Sequence, residues 1–416
     1  MKLKHVLTLG GLSAVVFLVS GFFEPKYIDQ RQVQVQVQVQ ATNVSSSFHA
    51  TQHIPNWLSY YLKWHGTVRS DPALFAKARI LIVDAGHGGL SDRLKHLPYY
   101  MLLASKHSRV LLIHWKKDCG IQEFFKPNVI DWRTPPHLLY WAIDLNKQKG
   151  YGDYFHHLID DEQLEANKNN RVLQVSGNLL SLTKGQPQVP QASKNDRRVF
   201  KHIFQSLFKL SDPVQELLLS TKKEIGLGDD YIGVHLRARF PGSLKLLGAS
   251  GKHIDFEGIT NVTPQVKQEI LKLGNHALQC TRAAAGDKDA QVYFASDTVL
   301  AMKLQHEQDD RVVYLKTDQE RVHFDAYSKS KRSRAASRKN PQCSQYYPAI
   351  VDLWLLSQAK CIGFGVGGYG SLAAMMSDFE CWTIHQRNGV LSHAFAQETN
   401  FFNAEDGSLP ECYLKK

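Results

Sequence analysis

Tyr231-Ile232-Gly233-Val234-His235-Leu236-Arg237 is the stretch that decides the fold. Its apolar part reads as a buried strand, and side chains alternate along a strand. Ile232, Val234 and Leu236 therefore share one face, while His235, Arg237 and Arg239 share the other. Arginine stays protonated, and its planar fork fits two oxygens of a diphosphate. A cation at the carboxyl end of a strand suits the place where open α/β sheets keep their ligands. Alone, His235-Leu236-Arg237 also fits a surface ion-pair cluster; the sequence around it favours a ligand site.

Downstream, strand-like and helix-like stretches alternate. An apolar helical segment at 264–280 leads to the strand Gln291–Asp297, a helix over 298–306 and the strand Arg311–Leu315. After a basic, Ser-rich loop at 328–340 come a helix through Ala349–Ser357 and a strand Lys360–Phe364. The turn Gly365-Val366-Gly367-Gly368-Tyr369-Gly370 then opens a helix, Ser371–Ser377. Upstream, Ala78–Asp84 is a strand that ends in the turn Ala85-Gly86-His87-Gly88-Gly89. Helical spacing follows from Arg93 to Ser105, and a further strand from Ser108 to Trp115, which makes a βαβ unit with a parallel sheet. The polar segment 150–200 reads as loop or domain edge. Together these predict an α/β fold of two Rossmann-like domains facing a cleft, over 53–225 and 226–400, with 401–416 as a tail.

With 416 residues, 43% of them hydrophobic, the chain can bury one large core or two ordinary ones. Lys and Arg number 50 against 39 Asp and Glu, a formal charge of +11 that favours an acidic partner. Aromatic and basic residues are not interleaved as a stacking platform needs, which argues against nucleic acid. The basic segment Met1–His5 precedes an uncharged apolar run, Val6–Phe23, that is long enough for a signal anchor. Cleavage as a signal peptide near Val19-Ser20-Gly21 is the rival. Residues 24–52, with the Gln/Val alternation of 32–40, read as a stem. The expected location is a Golgi membrane with a single-pass type II arrangement, or the ER lumen or outside if residues 1–21 are removed. The sequons at Asn43 and Asn261 and the six cysteines suit that route. Four cysteines lie between Cys343 and Cys412, so bridging is expected to staple the C-terminal part. They show no zinc spacing.

Two further features carry chemistry. Val292–Asp297 ends a strand with an acid where ribose or base hydroxyls are often read, although Ser296 or Asp297 would equally cap the next helix. Glycines at 367 and 368 let backbone N–H groups approach a phosphate at a helix N-terminus, and Gly86, Gly88 and Gly89 offer a similar turn. Neither turn is a P-loop.

In order and rough spacing across residues 78–385, these elements resemble the fucosyltransferase superfamily of protein O-fucosyltransferases, α1,6-fucosyltransferases and plant cell-wall fucosyltransferases. His235-Leu236-Arg237 resembles its His-x-Arg motif, and Val292–Asp297 the strand before its nucleotide-contacting acid. Asp352–Gln358 with Gly363–Tyr369 resembles its C-terminal helix–strand–phosphate-loop element, and Gly88–Leu94 its N-terminal glycine turn. Asp92 stands where several relatives carry Asn, and Gly367-Gly368 where they carry Ser-Ser.

The resemblance implies a GT-B fold and an inverting, metal-independent transfer of fucose from GDP-fucose to a glycan or glycoprotein, with no cofactor. Arg237, His235, Arg239, Asp297, Tyr369 and the glycines 86, 88, 89, 367 and 368 would bind the donor. Arg237 would stabilise the departing diphosphate. Asp92, His87, Asp255 and Glu257 are the candidate bases. A luminal sulfotransferase and a non-catalytic protein that binds a glycan or a nucleotide are the alternatives.

Overall fold

A computed structural model of the chain describes residues 54–84, 89–115, 119–148, 159–177, 194–238, 264–317, 342–365, 367–379, 381–385 and 412–414. The 6–23 run, the stem, both sequons, Gly86, His87, Gly88, Arg239, Asp255, Glu257 and the basic loop lie outside them. Among the described residues no helix is long and apolar enough to cross a membrane.

Residues 53–416 form one compact unit, a mixed α/β structure built on two largely parallel sheets. The first sheet consists of β1 (Arg79–Asp84), β2 (Arg109–His114), β4 (Ile143–Asp144) and β5 (Val172–Val175), in the order β2-β1-β5-β4 and all parallel. A short antiparallel pair, β3 (Phe125–Pro127) with β6 (Phe208–Leu210), stands apart from it. The second sheet runs β12-β11-β10-β7-β8-β9. Its strands are β7 (Ile232–Leu236), β8 (Val292–Ser296), β9 (Val312–Val313), β10 (Cys361–Phe364), β11 (Cys381–Ile384) and β12 (Tyr413–Leu414). Only β12, set on β11, is antiparallel.

The composition of the strands explains this arrangement. β1 is Arg-Ile-Leu-Ile-Val-Asp, and every residue after Arg79 is buried; β7 and β8 are buried throughout. Unbroken apolar runs of this kind need cover on both faces, as parallel sheets provide. In the first sheet Leu81, Val83, Leu111 and Ile113 face a core that continues to Tyr293, Ile350 and Ile362 of the second half. Ile80, Ile82, Val110 and Leu112 face a smaller cluster that includes Val68 of α1 (Asn56–Ser70).

Four expectations need correction. The helical stretch after β1 is two helices, α2 (Leu90–Leu94) and α3 (Leu97–Lys106). Pro98 has no N–H to give the carbonyl of Leu94, so the first helix stops there. The segment read as loop holds a short helix, Asp161–Ala166, then β5 at the middle of the first sheet, then α4 (Lys194–Leu207); α5 (Asp212–Glu224), α6 (Pro264–Ala285) and α7 (Val299–Gln308) come after it. The tail beyond 400 contributes β12 to the second sheet. The cysteines pair as Cys119–Cys343, Cys280–Cys412 and Cys361–Cys381. The last two staple the C-terminal half, but the first ties the two halves together.

Candidate functional site

Strand order reverses once in each sheet. In the second sheet β8 and β9 lie on one side of β7, and β10 and β11 on the other. The chain leaves β7 and β10 at the crevice between them, the position where open α/β sheets bind ligands. Arg237 is the first residue beyond β7, and Gly365–Gly368 follow β10.

The local contacts make this a built site. Gly367 has φ +93, a conformation that L side chains rarely adopt. A Cβ there would stand 2.7 Å from Nη1 of Arg237, so the bare backbone lets the guanidinium lie against the turn. Gly368 opens α9 (Gly368–Met376), whose first N–H groups have no partner within the helix and carry its positive dipole end. His235 is 6% exposed, with its ring 4.9 Å from that of Tyr369; the Tyr369 hydroxyl donates to the carbonyl of Ala349 on α8 (Tyr347–Gln358). His385 holds the backbone from behind. Burial lowers its pKa to about 4, so it is neutral, and its Nε2 donates to the His235 carbonyl at 3.1 Å.

Asp297 accepts a 2.7 Å bond from the backbone N–H of Ala238 and thereby fixes the chain just past Arg237. It does not cap the next helix. Thr298 does, its Oγ1 accepting from Leu300 N at 3.3 Å. Asp352 accepts from the Tyr293 hydroxyl and is 3% exposed, a partner that ties α8 to β8.

The N-terminal glycine turn reaches the same place. Ser91 Oγ donates to the Gly368 carbonyl at 2.9 Å across 277 residues of sequence, and a Cβ on Gly368 would meet that oxygen at 2.5 Å. Asp92 accepts from Gly89 N at 3.2 Å and from Lys95 Nζ at 2.6 Å, so its carboxylate closes the first turn of α2. The structure thus gathers Gly89, Ser91, His235, Arg237, Asp297, Gly367, Gly368 and Tyr369 from four distant stretches. Of the candidate bases, only Asp92 lies among the described residues.

A second polar group, absent from the sequence reading, lies across β2, β1 and β5, where the first sheet reverses its strand order. Asp84 ends β1, His114 ends β2 directly beside it, and Gln174 lies on β5. Asp84 is 3% exposed; one carboxylate oxygen accepts from Gln174 Nε2 at 2.8 Å and the other faces His114 Nδ1 at 3.7 Å. The sequence signal was there, since two apolar strands each end in a titratable residue, but strand register is needed to pair them. At the opposite edge of the sheet the polar groups are structural. Arg109 is wholly buried, and its guanidinium donates to the carbonyls of Asn170 and Asn167 at 3.0 and 3.1 Å.

No family model matches the chain, and no curated protein matches it. Solved structures do. A mutant of Arabidopsis thaliana FUT1 in complex with GDP is similar at TM-score 0.49 and 14% identity, over 82% of this chain and 81% of that one. NodZ α-1,6-fucosyltransferase of Bradyrhizobium, soaked with GDP-fucose, is similar at 0.44 and 12%, over 74% and 94%. POFUT1 in complex with GDP-fucose is similar at 0.38 and 12%, over 75% and 98%.

Proposed function

We propose that this chain is an inverting, metal-independent glycosyltransferase of GT-B architecture that moves fucose from GDP-fucose to a glycan or glycoprotein. The observation that carries the reading is the seating of Arg237 against Gly367 at the N-terminus of α9, on the strand-order reversal. Breaking a sugar–phosphate bond leaves negative charge on the diphosphate. A fixed guanidinium and aimed backbone N–H groups stabilise that charge without reorganising, often the largest catalytic effect. Fucose and guanosine as donor parts rest on the motif resemblance around His235 and Arg237. Work in an oxidising lumen, behind a signal anchor at 6–23, suits a chain whose six cysteines are all bridged.

The test is calorimetric binding of GDP, GDP-fucose, UDP and adenosine bisphosphate to the wild type and to Arg237→Ala. Tight GDP binding without added metal, lost in the variant, is expected. Selective binding of adenosine bisphosphate would turn the reading to a sulfotransferase. A folded chain that binds none of them would leave a non-catalytic protein.

A further inference from the structure

The reversal in the first sheet holds the chemistry that the diphosphate side lacks. A transfer of this kind also needs somewhere for the proton of the attacking hydroxyl to go. We propose that His114 is the general base that takes this proton, with Asp84 as the positioning residue that orients its imidazole. The inference rests on the glycosyltransferase reading and assigns the acceptor side of the same reaction.

Placement carries it. Asp84 and His114 are register partners on adjacent parallel strands, so their side chains leave the same face at the carboxyl edge. Gln174 donates to one oxygen of Asp84, which fixes the carboxylate plane and turns the other oxygen toward Nδ1 of His114. Nδ1 faces the acid at 3.7 Å, within ion-pair range, and the side chain is 27% exposed, so Nε2 is taken as the basic nitrogen. Asp84 is five residues before Gly89, and Ser91 of the same turn bonds to Gly368. The pair thus stands where the first sheet hands its chain to the diphosphate turn.

The surrounding charges fit the role. Among the described residues Asp84 is the one charged partner of His114. From the covering helices, Arg93 lies over Trp115 at 5.4 Å and Lys95 is paired with Asp92. His96, which also senses Asp84, is kept neutral by burial, its pKa lowered to about 4. Of the other described carboxylates, Asp92 is committed to Gly89 N and Lys95, and Asp144, opposite Gln174 on β4, accepts from Asn146 N.

The step balances. The hydroxyl oxygen forms its bond to the anomeric carbon, and the carbon–oxygen bond to the diphosphate breaks with its electron pair going to GDP. The hydroxyl proton passes to Nε2 of His114, and Asp84 stabilises the imidazolium that results. The attraction between the pair strengthens as that charge forms.

Water is an acceptor hydroxyl that needs no identification, so the test uses the full chain, GDP-fucose and water. GDP affinity is measured by calorimetry, and GDP release is followed from pH 5 to 9. His114→Gln is expected to bind GDP within about twofold of the wild type and to release GDP from GDP-fucose about 100-fold more slowly. Asp84→Asn is expected to slow release about tenfold. Asp84→Glu, which keeps the carboxylate, should recover part of that loss. A merely structural Asp84 would lower the melting temperature and leave the release rate of the folded variants in place.

Wild-type-like release by His114→Gln overturns the assignment and leaves the donor reading intact. GDP binding by the wild type without any release overturns it as well. A wild type that does not bind GDP removes the donor reading, and this inference with it. Because Asp84 is buried, loss of GDP binding in Asp84→Asn signals misfolding, and His114→Gln alone then decides.

Discussion

The two sheets reverse their strand order in the same way and have been furnished oppositely. At the crevice between β7 and β10 stand a fixed cation, bare glycine backbone and a helix N-terminus. Across the ends of β2, β1 and β5 stand a partly exposed histidine, a buried carboxylate and an amide. One kit suits an oxyanion that gains charge, the other a proton that must be received. The same strand topology can therefore serve either half of a group transfer, and the residues at the strand ends choose which.

That contrast breaks most readily through Arg237. Arg237→Ala should weaken GDP binding by about 10- to 100-fold, the value of one or two hydrogen bonds to a charged group, whereas His114→Gln should leave it nearly unchanged. Equal losses in both variants, measured by calorimetry, would mean that the two crevices are one site.

Acid offers the next largest effect. His65 and His96 beneath the first sheet, and His385 beneath the second, are buried and neutral, with pKa values lowered from 6.5 to about 4 chiefly by desolvation. The unfolded chain binds these protons first, so stability is full above about pH 6.5 and falls as pH drops toward 4. Each histidine can contribute about 1–3 kcal/mol to that loss. Urea midpoints at pH 7 and 4.5 should differ accordingly. His385→Gln, which keeps a donor near the His235 carbonyl, should reduce the difference. No change with pH would mean that the rings are hydrated.

Gly367→Ala sharpens the comparison at the backbone. A side chain at φ +93 and 2.7 Å from Arg237 should cost about 1–3 kcal/mol and lower GDP affinity as the guanidinium shifts. Gly66, on a helix in the first half with open space around it, should tolerate alanine or gain stability. Melting temperatures of the two variants check this. The smallest effect belongs to Lys95→Met, which removes a partly exposed ion pair with Asp92 and should change stability by less than about 1 kcal/mol.

Much of the second half was legible because its signals are local. β7, β8 and β10 are continuous apolar runs, and the glycines after β10 mark a turn whatever surrounds them. Val172–Val175 was not legible: four residues between polar stretches become a central strand only once β1 and β4 supply neighbours. That Asp297 holds the Ala238 N–H while Thr298 caps the helix is hidden for a related reason, since Ala238 belongs to another strand's exit. The break at Lys95–His96 is readable from Pro98. Arg237, Gly367 and Tyr369 stand out by motif; Asp84 with His114 needs the register between two strands, which no linear spacing encodes.

The Cys119–Cys343 bridge has a consequence for how the molecule is made. A ribosome delivers Cys119 224 residues ahead of its partner, about 10–45 s at ordinary rates of synthesis. Cys280 emerges within that interval, while its own partner Cys412 is later still. In an oxidising compartment the first thiol pair available would thus be a wrong one. Correct maturation there would depend on thiol–disulfide exchange. Production in a host without an isomerase should yield chains joined through Cys119 and Cys280, visible as a distinct band on a non-reducing gel.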